Sequence, residues 1–170
     1  MIRESIQRLG FAYRRLTQRK LDILDQLEEE HIRVELKFLQ FRFSKNVETR
    51  RKLIQQIKKD LLRHMHLEET IFYSACSEIA ELKEMIAESR VEHKQVRALL
   101  EDIGDHSPTS ERVSAEMKVL MEEVEHHVYE EENEIFPRVR TYMKKSQLNK
   151  LSREFRKAKH EKEKPSRAAA

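Results

Sequence analysis

With a single cysteine, Cys76, in 170 residues, the chain can form no internal disulfide and no zinc or iron–sulfur centre built from several thiolates. Turn-formers are almost as scarce: Gly10 and Gly104, with Pro108, Pro137 and Pro165, are the full complement of glycine and proline. That scarcity excludes a fold of many hairpins, and together with a charged fraction of 38% it predicts an all-α protein. No apolar run approaches the roughly 18 residues of a membrane span. Nor does the chain open on a charged-then-apolar leader with a small-residue cleavage site, so a soluble, cytoplasmic protein is expected. At roughly 150 residues per domain the length suits one main core, which at this size needs no covalent staple.

The net charge of +3 conceals a partition along the chain. Residues 138–170 hold 12 Lys and Arg against Glu154, Glu161 and Glu163, and the first twenty residues carry six basic side chains against Glu4. Basic ends thus flank an acidic body. They lack the interleaved aromatics or glycines of a nucleic-acid groove, so nucleic acid is not the expected partner. Solvated ends, or a surface for an acidic protein partner, are. Residues 1–20 read as a basic arm or helix extension, because Ile6, Leu9, Tyr13 and Leu16 keep a helical spacing. Residues 21–145 read as the main bundle. Residues 146–170 read as a basic helix around Leu148, Leu151 and Phe155 followed by a disordered Lys/Glu tail, with a charge density that predicts solvent exposure.

Within the body, apolar residues recur three and four apart in four stretches, each the stripe of a helix with one buried face. The first runs Leu24, Leu27, Val34, Phe38, Phe41 and ends near Ser44–Asn46. The second runs Leu53, Ile57, Leu61, then Ile71 or Phe72 and Ala75. The third runs Leu82, Ile86, Val96, Leu99 or Leu100, Ile103, with a C-terminal cap at Gly104. After a loop at 105–110, Ser110 caps a fourth, with Val113, Met117, Leu120, Val124 and Ile135. Long helices with short connections predict an up-down antiparallel four-helix bundle.

Every stripe has a hole, and each hole holds a histidine. His31 interrupts the first, His64 and Glu68 the second, Ser89 and His93 the third, and His127 and Glu131 the fourth. A buried histidine alone is ordinary core. Buried carboxylates among four of them are costly to desolvate unless something neutralises them. A metal does so, and histidine with carboxylate at i and i+4 puts both donors on one helical face. Imidazole and carboxylate without thiolate suit iron or manganese first and zinc second. Two Glu can bridge a pair of ions, each taking about two His, and six protein ligands leave coordination positions open for chemistry.

The two richest segments are His64-Met-His-Leu-Glu68-Glu69-Thr-Ile-Phe72-Tyr and His127-Val-Tyr-Glu-Glu131-Glu132-Asn-Glu-Ile-Phe136-Pro137. Each repeats His-x-x-x-Glu-Glu before an apolar–aromatic pair, with Ser74 where the second copy has Pro137. With Glu30-His31 and Glu92-His93, they resemble the hemerythrin-like, or HHE cation-binding, domains over roughly residues 20–143. The resemblance implies a four-helix bundle with a non-haem di-iron centre, oxo- or hydroxo-bridged, ligated by His31, His64, Glu68, His93, His127 and Glu131. Oxygen-carrying hemerythrins place two histidines one turn apart on the third helix, where this chain has Ser89 or Arg97 beside His93. They also set a carboxylate five residues after the last histidine, the place of Glu132. The pattern is closer to a four-His, two-Glu branch, and a simple oxygen carrier is not expected.

His66 and His126 should face away from the seam, His106 falls in the loop and His160 in the tail. The Glu28-x-x-His31 and Glu123-x-x-His126 matches to ferritin-like sites come cheaply in so Glu-rich a chain. Tyr73, Tyr129 and Tyr142 are read as packing, although a phenol could reach the site, and Met65, Met117, Met121 and Met143 as core filling. The expected function is binding of, or reaction with, a small diatomic ligand or peroxide (oxygen, nitric oxide) in a redox or oxygen response. Iron donation for repair, iron storage, and an interaction module with structural metal are the alternatives.

Overall fold

The computed structural model describes residues 21–103 and 107–163, and every regular element among them is helical. The basic arm at 1–20, the Gly104 cap, His106 and the tail from 164 lie outside the described residues. Helix α1 (Ile23–Phe43) starts where Asp22 and Asp25 exchange bonds: Asp22 Oδ1 accepts from the Leu24 and Asp25 amides at 3.0 and 3.2 Å, and Asp25 Oδ2 accepts from the Asp22 amide at 2.9 Å. Such reciprocal capping satisfies amides that the first helical turn leaves free. Asn46 caps α2 (Val47–Leu67) through the Thr49 amide at 2.9 Å. A π-helical turn, Glu68–Phe72, and the short α3 (Tyr73–Cys76) continue it. A 3-10 turn at Ala80–Leu82 leads into α4 (Lys83–Asp102). Ser110 caps α5 (Glu111–Glu130) through the Val113 amide at 3.2 Å, as expected. A second π turn, Glu131–Ile135, then α6 (Phe136–Tyr142) and α7 (Lys145–Glu163) complete the chain.

Helix α1 packs against α2, α5 and α7, and α4 against α5. The apolar stripes bury as their spacing requires, with one phase shift. Past Glu68 the inward residues are Phe72, Tyr73 and Cys76, while Ile71 and Ala75 are only partly buried. A π turn bonds i to i+5 and so takes one more residue than an α turn, which rotates the face that follows.

The buried apolar residues form two main cores. One gathers Leu27, Phe72, Tyr73, Ile86, Ile135 and Phe136, and the other gathers Val34, Leu61, Val96, Leu100 and Leu120. Between them in sequence, on every long helix from α1 to α5, sits an interrupting histidine. No helix among the described residues is long and apolar enough to cross a membrane.

The basic C-terminal helix departs from its expected solvent exposure. Its charged faces are open, but Leu148, Leu151 and Phe155 are buried in the core that holds Ile23, Leu24 and Leu27. Composition averages over a helix, whereas these three positions share one face. Gln26 Nε2 donates to Ser152 Oγ, and Ser152 Oγ to the Leu21 carbonyl, which fixes the helix on the start of α1. Phe155→Ala should therefore cost about 3–5 kcal/mol in chemical denaturation. A helix lying loose in solvent would lose almost nothing.

Candidate metal centre

Each of α1, α2, α4 and α5, or the π turn that follows it, delivers donors to one layer. His31, His64, His93 and His127 are 5% exposed or less, and Glu68 and Glu131 are fully buried. His31 Nε2 and His64 Nε2 face each other at 3.2 Å, and His93 Nε2 and His127 Nε2 at 3.1 Å. Two ligand nitrogens about 2.1 Å from one ion and at right angles to each other would lie about 3.0 Å apart, close to both separations.

The carboxylates stand between these imidazole pairs. Glu68 Oε2 is 3.0 Å from His64 Nε2 and 3.4 Å from His93 Nε2, so it touches both. Glu131 Oε2 does the same from the other side, 3.3 Å from His31 Nε2 and 3.7 Å from His127 Nε2. Both oxygens of Glu68 and Oε2 of Glu131 receive no hydrogen bond among the described residues. Buried carboxylate oxygens are seldom left so, and the donor set fits a cation. His31, His64, Glu68 and Glu131 form one such group, and Glu68, His93 and His127 another.

Every imidazole is held from behind. His31 Nδ1 meets Glu132, His64 Nδ1 meets Glu30 and His93 Nδ1 meets Glu69, all at 3.0 Å, and His127 Nδ1 meets Glu92 at 2.6 Å. Such carboxylates fix the ring and its tautomer, leaving Nε2 free for metal. The pattern is a two-fold repeat. The glutamate before each single histidine serves the histidine of the next helix, and the second glutamate of each doublet serves the single histidine of another. Tyr73 and Phe136, one per copy, stack on His93 and His31 at 5.3 and 6.2 Å between ring centroids. The copies differ in the Tyr73 hydroxyl, which donates to Glu131 Oε1 at 2.5 Å.

The surrounding carboxylates favour the charged form of His31, His64 and His127. Burial disfavours the charged His31 ring, but the neighbouring carboxylates of Glu131 and Glu132 outweigh it and raise its pKa to about 9. His64 is raised well above its usual value: burial opposes the charged ring, and Glu68 and Glu30 overcome it. His127 rises for like reasons through Glu131 and Glu92. Glu68 lies well below the carboxylate range, since His64 and His93 outweigh its burial. Burial, then Glu131 and Glu68, push the Tyr73 phenol up, so it remains a donor.

The structure thus brings His31, His64, Glu68, His93, His127 and Glu131 together. Glu132, at the place carriers use, lies behind His31 instead. Ser89 back-bonds to the Met85 carbonyl and Arg97 pairs with Glu69, so neither adds a donor beside His93. His66 and His126 are exposed. Residues 22–139 match the model of the hemerythrin HHE cation-binding domain. The chain belongs to that family. Among curated proteins, a "DNA nickase" of Nostoc sp. is 25% identical over 142 residues, 82% of this chain. The chain spans 39% of that relative's length. No solved structure matches the chain significantly. As a hemerythrin HHE domain the protein binds metal, and the clusters above are where its His and Glu donors converge.

Sequence reasoning missed Glu30, Glu69, Glu92 and Glu132 as imidazole partners. Their signal was present as the doublets flanking each candidate ligand, but glutamate is too common here for adjacency alone to stand out.

Proposed function

We propose that this hemerythrin HHE domain is a non-haem di-iron protein that binds or reacts with a small diatomic ligand or peroxide in a redox or oxygen response. The observation that carries the reading is the pair of facing imidazole couples joined by Glu68 and Glu131. In it, His31 and His64 would hold one ion and His93 and His127 the other, with Glu68 and Glu131 as anionic donors within reach of both pairs. Two irons, when bound, supply electrons and open coordination positions to the ligand; manganese or zinc would occupy the same donors. The two cores support an up-down four-helix arrangement over residues 21–145. From α1 to α2 to α4 to α5 the chain alternately leaves one core for the other through the histidine layer.

What may enter is set by the walls. The imidazoles border a cavity of about 20 Å3, whose apolar lining is Val34, Leu61, Met65, Val96, Val124 and Val128. That volume suits one water-sized molecule, and the lining favours a neutral one over a charged substrate. Leu27 packs on the opposite side of the layer with Phe72 and Phe136. Tyr73 holds its proton against Glu131 and keeps that carboxylate aimed at the imidazoles. The nucleic-acid activity in the Nostoc relative's name is not carried over to a chain matching 39% of it.

Anaerobic iron(II)-loaded protein should develop a new visible absorption with nitric oxide, saturating at stoichiometric ligand, and should oxidise on mixing with air. No spectral response to either gas contradicts the reading, whereas oxygen uptake that vacuum reverses after many minutes would return the protein to the oxygen-carrier class. Tyr73→Phe should retain the fold and weaken metal retention by about 10-fold, the low end for loss of an outer hydrogen bond. Chelator competition measures this, and a release rate equal to that of the unaltered protein would assign the phenol to packing alone.

A further inference from the structure

Glu30 differs from the other three carboxylates that back the imidazoles. Its side chain is 6% exposed, whereas those of Glu69, Glu92 and Glu132 are 22, 15 and 25% exposed. Its Oε2 takes the His64 Nδ1 bond, and its Oε1 meets Lys159 Nζ at 2.6 Å. Arg63 lies farther off, at 3.9 Å. Glu92, the counterpart in the second copy of the motif, faces solvent-exposed His126 at 3.9 Å instead.

Lys159 comes from α7, outside both motif copies. It follows Phe155 by four residues and therefore shares its face. Burial of Phe155 lays the lysine along α1, and the ammonium, 23% exposed, reaches inward to Glu30. A carboxylate this buried is held charged and in place only while its partners stay. One of those partners belongs to the last helix.

We propose that Lys159 is a positioning residue of the metal centre: it clamps Glu30 against His64 and makes the His31/His64 half depend on α7. The His93/His127 half is backed by Glu69 and Glu92, whose basic partners, Arg97 and His126, lie on α4 and α5 and not on α7. The two halves, alike in their imidazoles, then differ in how firmly they hold metal, and any event that lifts the C-terminal helix loosens one ion before the other. The inference rests on the two-ion reading above.

Full-length protein loaded with iron(II) or cobalt(II) and challenged with a chelator tests it. Lys159→Met should release one ion about 10–100-fold more readily, the usual cost of losing an outer-shell partner, and the other at the unaltered rate. Lys159→Arg should restore most of the difference. Release of both ions as in the unaltered protein, equal acceleration of both, or an arginine variant no better than methionine would each overturn the proposal. Metal-free protein supplies an arm independent of loading. Lys159→Met should move the imidazole 15N resonances of His64 and leave those of His127 in place, and an unmoved His64 overturns the clamp. Fewer than two ions in the unaltered protein would instead count against the two-ion reading, while the resonances still decide on Lys159.

Discussion

Replacing His64 by alanine should lower iron from the expected content of about two ions per chain to one or fewer, and His127→Ala should do so from the other half of the proposed centre. Each removes one of the two imidazoles that face each other across 3.1–3.2 Å. Glu68→Gln should be worse than either. Its oxygen stands 3.0 and 3.4 Å from a histidine of each pair, so both ions lose an anionic donor. His64→Ala also strips a partner from Glu30 and from Glu68, both buried. Breaking a buried ion pair this way costs about 3–5 kcal/mol, which should appear in the metal-free protein as a lower melting temperature. Exposed His66, two residues away, provides the control, and His66→Ala should keep full occupancy. Elemental analysis checks all four variants; undiminished metal in both His64→Ala and His127→Ala would remove the basis of the ligand assignment.

Metal removal should make stability fall as pH rises above neutrality. A histidine whose folded pKa exceeds its unfolded value contributes stability that is complete below the unfolded value and lost as pH climbs through the folded one. For His31 that window runs from 6.5 to about 9, and His64 and His127 shift in the same direction. Carboxylates behave oppositely. Glu30, lowered from 4.5 to about 2, and Glu68, also lowered, contribute above the unfolded value and lose that contribution as pH falls through the folded one. Metal-free protein is then most stable between about 4.5 and 6.5. From there to pH 9 the His31 shift alone removes on the order of 3 kcal/mol, roughly 6–12 °C in a chain of this size.

Iron needs the neutral imidazoles and displaces their protons, so its affinity grows over the same range. The melting gap between iron-loaded and metal-free protein should widen from pH 6.5 to 9 and close toward pH 5. Thermal scans across that range measure it. Coincident melting at neutral pH, or a gap that shrinks in alkali, contradicts the coupling.

The histidine layer was legible because it breaks a strong rule. Apolar stripes at helical spacing are hard to interrupt without cost, and four interruptions by histidine, two with a glutamate one turn on, have few explanations besides metal. The π turns were not legible. Nothing in Glu68-Glu69-Thr-Ile-Phe or Glu131-Glu132-Asn-Glu-Ile announces an i to i+5 bond, yet the first of these turns decides that Tyr73 and Cys76 face inward in place of Ile71 and Ala75. The C-terminal helix was misjudged for another reason: its many charges are real and exposed, while three apolar residues on one face decide where it packs. Lys159 was hidden among the other lysines of that segment, and only the fold sets it beside Glu30.

Anomalous diffraction at the iron edge, on crystals of protein loaded with iron(II), tests the central claim most directly. The account predicts two peaks about 3.5–4 Å apart, one between His31 and His64 and one between His93 and His127, with Glu68 and Glu131 touching both. A single peak, or iron bound away from these six side chains, would contradict it.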